Sequence, residues 1–392
     1  MASVHLGRDW RADAAHPVLA LKVMREELAH DRAYVAMFLD EARILAKLDH
    51  PNLIATIEAG VGKIEGGVLE SDSQPVAGAN ATSQINTEWR YIAMELLLGR
   101  PLADLWDLLA EQRERMPVRV SAAIASRVAH GLHYAHELLA DDGSSYELVH
   151  RDVNPSNIFM TTRGQVKLID FGLARAKDTD RAGGPGVVTG KITYLAPEQL
   201  TRRALDRRTD VYQLGITLWE MLTGARLFLR ESQQATIAAV RSGTIPRPEE
   251  LNPRVPRELS DLVLRSLAPD PDRRFTSMAG FARMLDRWID SRGLHVEDEE
   301  LVELFERVFP SERQRLEEWH AKILQARSQP PPQTNAPPAT SAQPPPLPAS
   351  ASAALPAIAS DPVVADRPRA TETTPSPERP RERRAKWAWW KK

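Results

Sequence analysis

Cysteine is absent from the 392 residues of this chain. That excludes disulfides, cysteine-ligated zinc, iron–sulfur clusters and a thiolate nucleophile. The absence agrees with a reducing cytoplasm, the compartment we expect, although many exported proteins also lack cysteine. An uninterrupted apolar run of about 18 residues is missing too, so no helix of this sequence is written to span a bilayer. The opening MASVHLGRDW lacks the apolar core of a secretion signal. Neither charge is in excess: 51 Lys and Arg against 53 Asp and Glu leave a formal net charge of -2. This balance speaks against a globally basic nucleic-acid binder, and no specific nucleic-acid partner is expected.

What is present is unevenly placed. Hydrophobic residues make up 42% of the chain, enough for a substantial core, and the 30 prolines divide it. Residues 1–290 alternate apolar runs with short turn signals. The stretch 291–327 repeats apolar residues at helical spacing (Leu301, Leu304, Phe305, Val308) and predicts one or two amphipathic helices. From 328 to 378 Pro, Ala, Ser and Thr dominate. Such a segment buries too little apolar area to offset its ordering entropy and reads as a disordered, partly polyproline-II linker. The end, 379–392, is basic and carries Trp387, Trp389 and Trp390. Trp beside Lys and Arg suits a membrane–water interface, single-stranded nucleic acid or an acidic partner, and equally a solvated end with no fixed partner.

Within 1–290, SVHLGRD, PVLALKVMR, LIATIEAG and WRYIAMELL read as strands, whereas the part after about residue 100 reads mostly as helix. Strands first and helices afterward predict an α+β or two-lobed architecture. The polar, Gly-rich stretch 61–88 reads as a surface loop inserted between two strands. A helix is expected over 31–48, with Tyr34, Met37, Phe38, Ile44, Leu45 and Leu48 as its apolar stripe. Glu41 sits inside that stripe, where a carboxylate needs protonation, a cation or an outward turn. Lys22, embedded in the apolar strand VLALKVM, is the nearest candidate partner; two snorkelling side chains are the plainer alternative.

Further along come His150-Arg151-Asp152, then Asn157, then QVKLID running into Asp170-Phe171-Gly172, then Ala196-Pro197-Glu198, and an apolar helix opening near Asp210. With Ala20-Leu21-Lys22 and Glu41, this set in this order resembles the eukaryotic-like serine/threonine protein kinase family in its bacterial form. The resemblance covers about 1–290. It implies a bilobal kinase-like fold, with a small β-rich lobe over 1–98 and a larger, mainly helical lobe over 99–290. It also implies ATP and Mg²⁺ as cofactors, protein substrates, and transfer of the γ-phosphate to Ser or Thr. On that resemblance Lys22 contacts the α/β-phosphates and Glu41 holds Lys22. Asp170 and Asn157 bind Mg²⁺, and Asp152 orients the acceptor hydroxyl and takes its proton. Val4 and Ala20 lie above the adenine and Phe159 below it. Met94 is the gatekeeper, and Glu95 and Leu97 offer backbone groups to the base. Arg151 implies a basic pocket for an activation-segment phosphate, with Thr189 as the candidate phosphosite. Glu198 and Arg274 resemble a buried ion pair. Asp210 holds the catalytic-loop backbone, or is a plain helix N-cap.

Three departures accompany the resemblance. Val4 matches the valine of the family's G-x-G-x-x-G-x-V loop, which puts Met1 and Ala2 at its tip and leaves the leading glycines outside the chain. A start further upstream, or a natural truncation, is therefore expected. Asn154 stands where Ser/Thr kinases carry Lys, and Lys191 stands where they carry Thr before the Ala-Pro-Glu stretch. We read the pair as compensation, with the Lys191 ammonium reaching toward Asp152 and the γ-phosphate; drift in a catalytically impaired kinase-like scaffold is the alternative.

Overall fold

The computed structural model describes residues 2–9, 15–65, 68–71, 88–171, 189–201 and 204–325. The chain divides into two units, Met1–Gln329 and Pro330–Lys392. The linker and Trp-rich tail foreseen over 328–392 lie outside the described residues, as do Gly172 and the side chains of Thr189 and Lys191.

The first unit begins with β1 (Ala2–Arg8), β2 (Val18–Met24), α1 (Arg32–Leu45), β3 (Thr56–Glu65), β4 (Val68–Ser71) and β5 (Glu88–Glu95). The strands form an antiparallel sheet in the order β1-β2-β5-β3-β4. Period-2 alternation explains its two faces. Leu19, Val23, Tyr91 and Ala93 build a small cluster on one face. Met24, Ile92 and Met94 join the main core with Phe38, Ala42 and Leu45 of α1 on the other. Asp31 caps α1 by accepting from the Ala33 N–H at 2.9 Å. The helix ends at Leu45, three residues short of the span read from the apolar stripe.

The loop expected over 61–88 needs correction. Strand β3 continues to Glu65 and pairs with β4, Gly62 opposite Ser71 and Glu65 opposite Val68. Glycines and charges made this hairpin look like loop, because strand pairing there depends on a neighbouring chain segment and not on local propensity. Residues 72–87 lie outside the described residues.

Then follow β6 (Gly99–Pro101), α2 (Leu102–Glu111), α3 (Val118–His136), β7 (Ile158–Thr161), β8 (Val166–Leu168), α4 (Pro197–Leu200), α5 (Arg208–Thr223), α6 (Gln233–Ser242), α7 (Pro248–Leu251), α8 (Arg257–Ser266), α9 (Met278–Asp290), α10 (Asp298–Val308) and α11 (Glu312–Gln325). A second sheet runs β6-β7-β8. It meets the first lobe where Leu168 donates its N–H to Asn52 O at 2.8 Å and accepts from Ile54 N at 3.1 Å. Helix α5 is buried all round and serves as the axis of the helical lobe. It stops at Gly224, whose φ of 71° suits glycine in the left-handed region. Among the described residues no helix is long and apolar enough to cross a membrane.

The segment read as an extension, 291–327, forms two helices, and α10 is not a separate layer. Leu301, Leu304, Phe305, Val308 and Phe309 belong to the same core as Leu102 and Leu105 of α2. Phe305 is fully buried, with its ring centroid 5.0 Å from that of Phe309. Phe305→Ala should therefore cost about 3–5 kcal/mol, the usual range for a buried aromatic, read as a lower midpoint in urea unfolding.

Candidate active site

Residues directly opposite in an antiparallel pair share a face. Val4 lies opposite Lys22, Ala20 opposite Met94, and Lys22 opposite Ile92. Val4, Ala20, Lys22 and Met94 therefore point to one side of the sheet, the side against which α1 packs. Lys22 Nζ donates to Glu41 Oε1 at 2.8 Å and to Asp170 Oδ1 at 3.3 Å. Glu41 comes from the buried stripe of α1, and Asp170 from the end of the segment after β8. Burial by itself pulls the Lys22 ammonium down, yet Asp170 and Glu41 outweigh it and hold the group above the ordinary lysine value.

The loop between α3 and β7 carries the other groups. Arg151 and Asp170 both adopt left-handed backbone, with φ of 65° and 56°. Non-glycine residues hold such conformations only where their surroundings enforce them. Asp210 supplies the enforcement for Arg151. Fully buried, it accepts from the N–H groups of His150 and Arg151 at 2.8 Å each and from His136 Nε2 at 2.7 Å. Helix α5 starts at Arg208, so Asp210 lies in its first turn and acts on the loop, not as the N-cap. Gln213, one turn on, donates to Arg151 O at 3.0 Å and accepts from Val153 N at 3.0 Å.

Asp152 is buried between two amides. Asn154 Nδ2 donates to its carbonyl at 2.8 Å and to Oδ1 at 3.2 Å. Asn157 Nδ2 donates to the same carbonyl at 2.8 Å and to Oδ2 at 3.1 Å. With its nitrogen so engaged, Asn157 presents its amide oxygen elsewhere, as a hard donor suited to Mg²⁺. Asp170 contributes carboxylate oxygens of the same character. Among the described residues no cluster of three or more His, Cys, Asp or Glu forms a metal cage. A cation held by Asp170 and Asn157 thus takes its remaining oxygens from phosphate or water, the habit of Mg²⁺.

Phe159 stands on β7, opposite Pro101 of β6 and Lys167 of β8. Strand β5 ends at Glu95, and Leu97 follows in the connection to β6. The Glu95 carboxylate has a role not read from the sequence. It accepts from Ala55 N at 2.8 Å and from Lys167 Nζ at 2.6 Å, fastening the crossover between lobes. A lysine inside the apolar strand QVKLID was the available signal, of the same kind as Lys22 in VLALKVM. The Tyr194–Glu220–Arg226 contact was also missed. Tyr194 Oη donates to the buried Glu220 at 2.7 Å, and Arg226 donates to Tyr194 Oη at 2.6 Å. This ties the segment before Ala196 to α5. Glu198 and Arg274 meet in a bidentate pair at 2.7 and 2.8 Å.

His150 is fully buried and packs its ring on Phe171, centroids 4.6 Å apart. Its Nε2 donates to Ile169 O at 3.2 Å and its Nδ1 accepts from Asp152 N at 3.3 Å, a pairing that needs the neutral ring. Burial, the largest influence, lowers its pKa despite Asp210 and Asp152 nearby. A folded-state pKa below the unfolded value means stability that is complete above about pH 6.5 and lost as pH falls beneath it. The unfolding midpoint should drop on acidification from about pH 7.5 to 5.5. His150→Phe should make that drop shallower by up to one proton, about 1.4 kcal/mol per pH unit.

The profile of the family described as "Protein kinase domain" matches residues 8–285. Tyrosine-protein kinase MasK of Myxococcus xanthus is 35% identical over 289 residues, which are 74% of this chain and 41% of MasK. Serine/threonine-protein kinase PksC of Streptomyces coelicolor is 32% identical over 279 residues, 71% of this chain and 45% of PksC. Serine/threonine-protein kinase PknB of Mycobacterium leprae is 32% identical over 281 residues, 71% of this chain and 39% of PknB. The chain thus spans less than half the length of these relatives. Among solved structures it is similar to the kinase domain of Mycobacterium tuberculosis PknI, with a TM-score of 0.49 at 25% identity, over 73% of this chain and 90% of that one. The matched span encloses the lysine, the carboxylates and the amides of the cleft, and the chain belongs to the protein kinase family, in its bacterial branch.

Proposed function

We propose that this chain transfers the γ-phosphoryl group of ATP to serine or threonine hydroxyls of protein substrates, including its own. The observation that carries this reading is the convergence at Lys22, whose ammonium lies 2.8 Å from Glu41 and 3.3 Å from Asp170. Phosphoryl transfer is mostly positioning and charge neutralisation, and this cleft holds the charges it calls for. In the proposed reaction Lys22 grips the nucleotide phosphates while Glu41 keeps the ammonium in place. Asp170 and Asn157 hold Mg²⁺, which neutralises phosphate charge. Asp152, steadied by Asn154 and Asn157, orients the acceptor hydroxyl and accepts its proton. Val4, Ala20, Met94 and Phe159 enclose the adenine, with the backbone at Glu95 and Leu97 meeting its edge. Lys191 restores the cation that Asn154 lacks.

Support for a Ser/Thr acceptor comes from the stretch GKITYLAPE and from PksC and PknB, both named serine/threonine kinases. A tyrosine acceptor is the second reading. It is favoured by Asn154 in place of lysine and by the name of MasK. We also propose a cytoplasmic location, with 379–392 meeting an anionic membrane surface or an acidic partner; binding of that peptide to anionic vesicles would support the former.

The test is autophosphorylation with Mg²⁺·ATP followed by phosphoamino-acid analysis, wild type beside Asp152→Ala and Lys22→Ala. Each substitution should lower the rate on the order of 10²–10³-fold, with phosphoserine or phosphothreonine as product. Equal signal in all three proteins would assign the phosphate to a contaminant and leave a kinase-like scaffold.

A further inference from the structure

The family match stops at residue 285, yet the fold continues through α11. Where that extra segment attaches is informative. It does not rest on a distant surface; it grips both ends of the β6-β7-β8 sheet.

At one end, Arg100 in β6 forms an ion pair with Glu312, the first residue of α11. Both side chains are mostly buried, at 16% and 8% exposure, and the Arg100 guanidinium also lies 5.8 Å from the ring centroid of Phe309. At the other end is the β7–β8 turn. Arg127 of α3 donates to Gly164 O at 3.2 Å and to Val296 O at 2.8 Å, and pairs with Asp298 at 2.7 Å. Gly164 has a φ of 78°, and a Cβ there would lie 2.1 Å from Asp298 O. The turn and the start of α10 are therefore in direct backbone contact.

The sheet held this way borders the nucleotide cleft. Strand β6 begins two residues after Leu97, and Thr162 N donates to Leu98 O at 2.8 Å. Arg100 lies opposite Met160, and Pro101 opposite Phe159. Strand β7 starts directly after Asn157, and β8 ends two residues before Asp170. A shift of β6 is thus passed to Phe159 by strand register and to the Glu95–Leu97 segment by chain continuity.

We propose that Arg100 and Glu312 are positioning residues for nucleotide binding: the α10–α11 segment latches the strand beside the cleft and holds the adenine-facing wall in register. This rests on the reading of the cleft as an ATP site. Glu312 keeps its pair with Arg315 of the same helix when Arg100 is removed, so what either substitution takes away is the ion pair that joins β6 to α11. Arg100 also acts on the Asp104 carboxyl of α2, which burial holds up at about 6 against the downward pull of Arg100. Substitution at Glu312 is therefore the cleaner probe of the latch.

The experiment uses the full chain and titrates ADP and ATP with Mg²⁺ against wild type, Glu312→Gln, Arg100→Met, the double variant and Arg100→Lys. Thermal unfolding is followed in parallel without nucleotide. Each of the first two single variants should weaken nucleotide binding about 5-fold or more, at the lower end of usual coupling between sites. The double variant should be no weaker than the worse single, because both act through one contact. Arg100→Lys should recover part of the affinity, and KM for ATP should rise more than kcat falls. Unchanged affinity in Glu312→Gln and Arg100→Met, with only the unfolding midpoint lowered, would overturn the proposal and leave a purely structural clamp. Additive losses in the double variant would also overturn it. A wild type that binds no nucleotide would overturn the ATP reading itself, a result distinct from wild-type binding that the variants share.

Discussion

A charged amine enclosed by protein is unfavourable unless opposite charge meets it, and this fold is organised around one such amine. Lys22 projects from the middle of β2 into the space between the sheet and α1. Glu41 is 2% exposed and is itself tolerable only with a cation beside it. Each charge therefore requires the other, and together they fix how α1 lies on the sheet. Asp170 completes the set from the far lobe, so the same ammonium also ties the two lobes together. Replacing a buried pair such as Lys22–Glu41 by well-packed apolar residues is often neutral or stabilising for folding. Their presence makes sense as preorganisation for a polyanion that enters between them.

The loop between α3 and β7 shows the complementary strategy. Here the polar groups are anchored to an apolar rod. Helix α5 is buried on every side, so its position is set by packing from all directions. From that rigid element Asp210 and Gln213 reach the backbone of His150, Arg151 and Val153. The strained backbone at Arg151 persists because these bonds over-determine it. Asp152 follows from that geometry, held between two amides that set the direction of its carboxylate. The Asn154 contact also gives a physical meaning to the residue that departs from the family pattern: at this position the chain braces the acid by hydrogen bonding.

The helical segment beyond the family match extends the same logic outward. Its apolar face completes the core that α2 and α3 begin, and its acidic residues meet Arg100, Arg119 and Arg127 on the sheet and helix beneath. The helical lobe is then not bounded where the common family pattern ends. The core decides the boundary, since a helix whose Leu301 and Phe305 are fully buried cannot be separated without exposing both sides.

Much of this was legible in the chain itself. Apolar spacing marked α1 and the pair of helices past residue 290, and charges lodged in apolar runs pointed to Lys22 and Glu41. The order of short motifs pointed to the kinase family and a two-lobed fold. Local pattern carries such information because element type and buried face are set by residues within a few positions of one another. Other features were beyond its reach. The β3–β4 hairpin, the Glu95–Lys167 tie and the attachment of Glu312 to Arg100 were decided by tertiary structure alone. The physical reason is that these pairings join residues far apart in sequence, as with Lys22 and Asp170 at a separation of 148. Which buried charge finds which partner depends on how the packed core closes, and no local spacing encodes that choice.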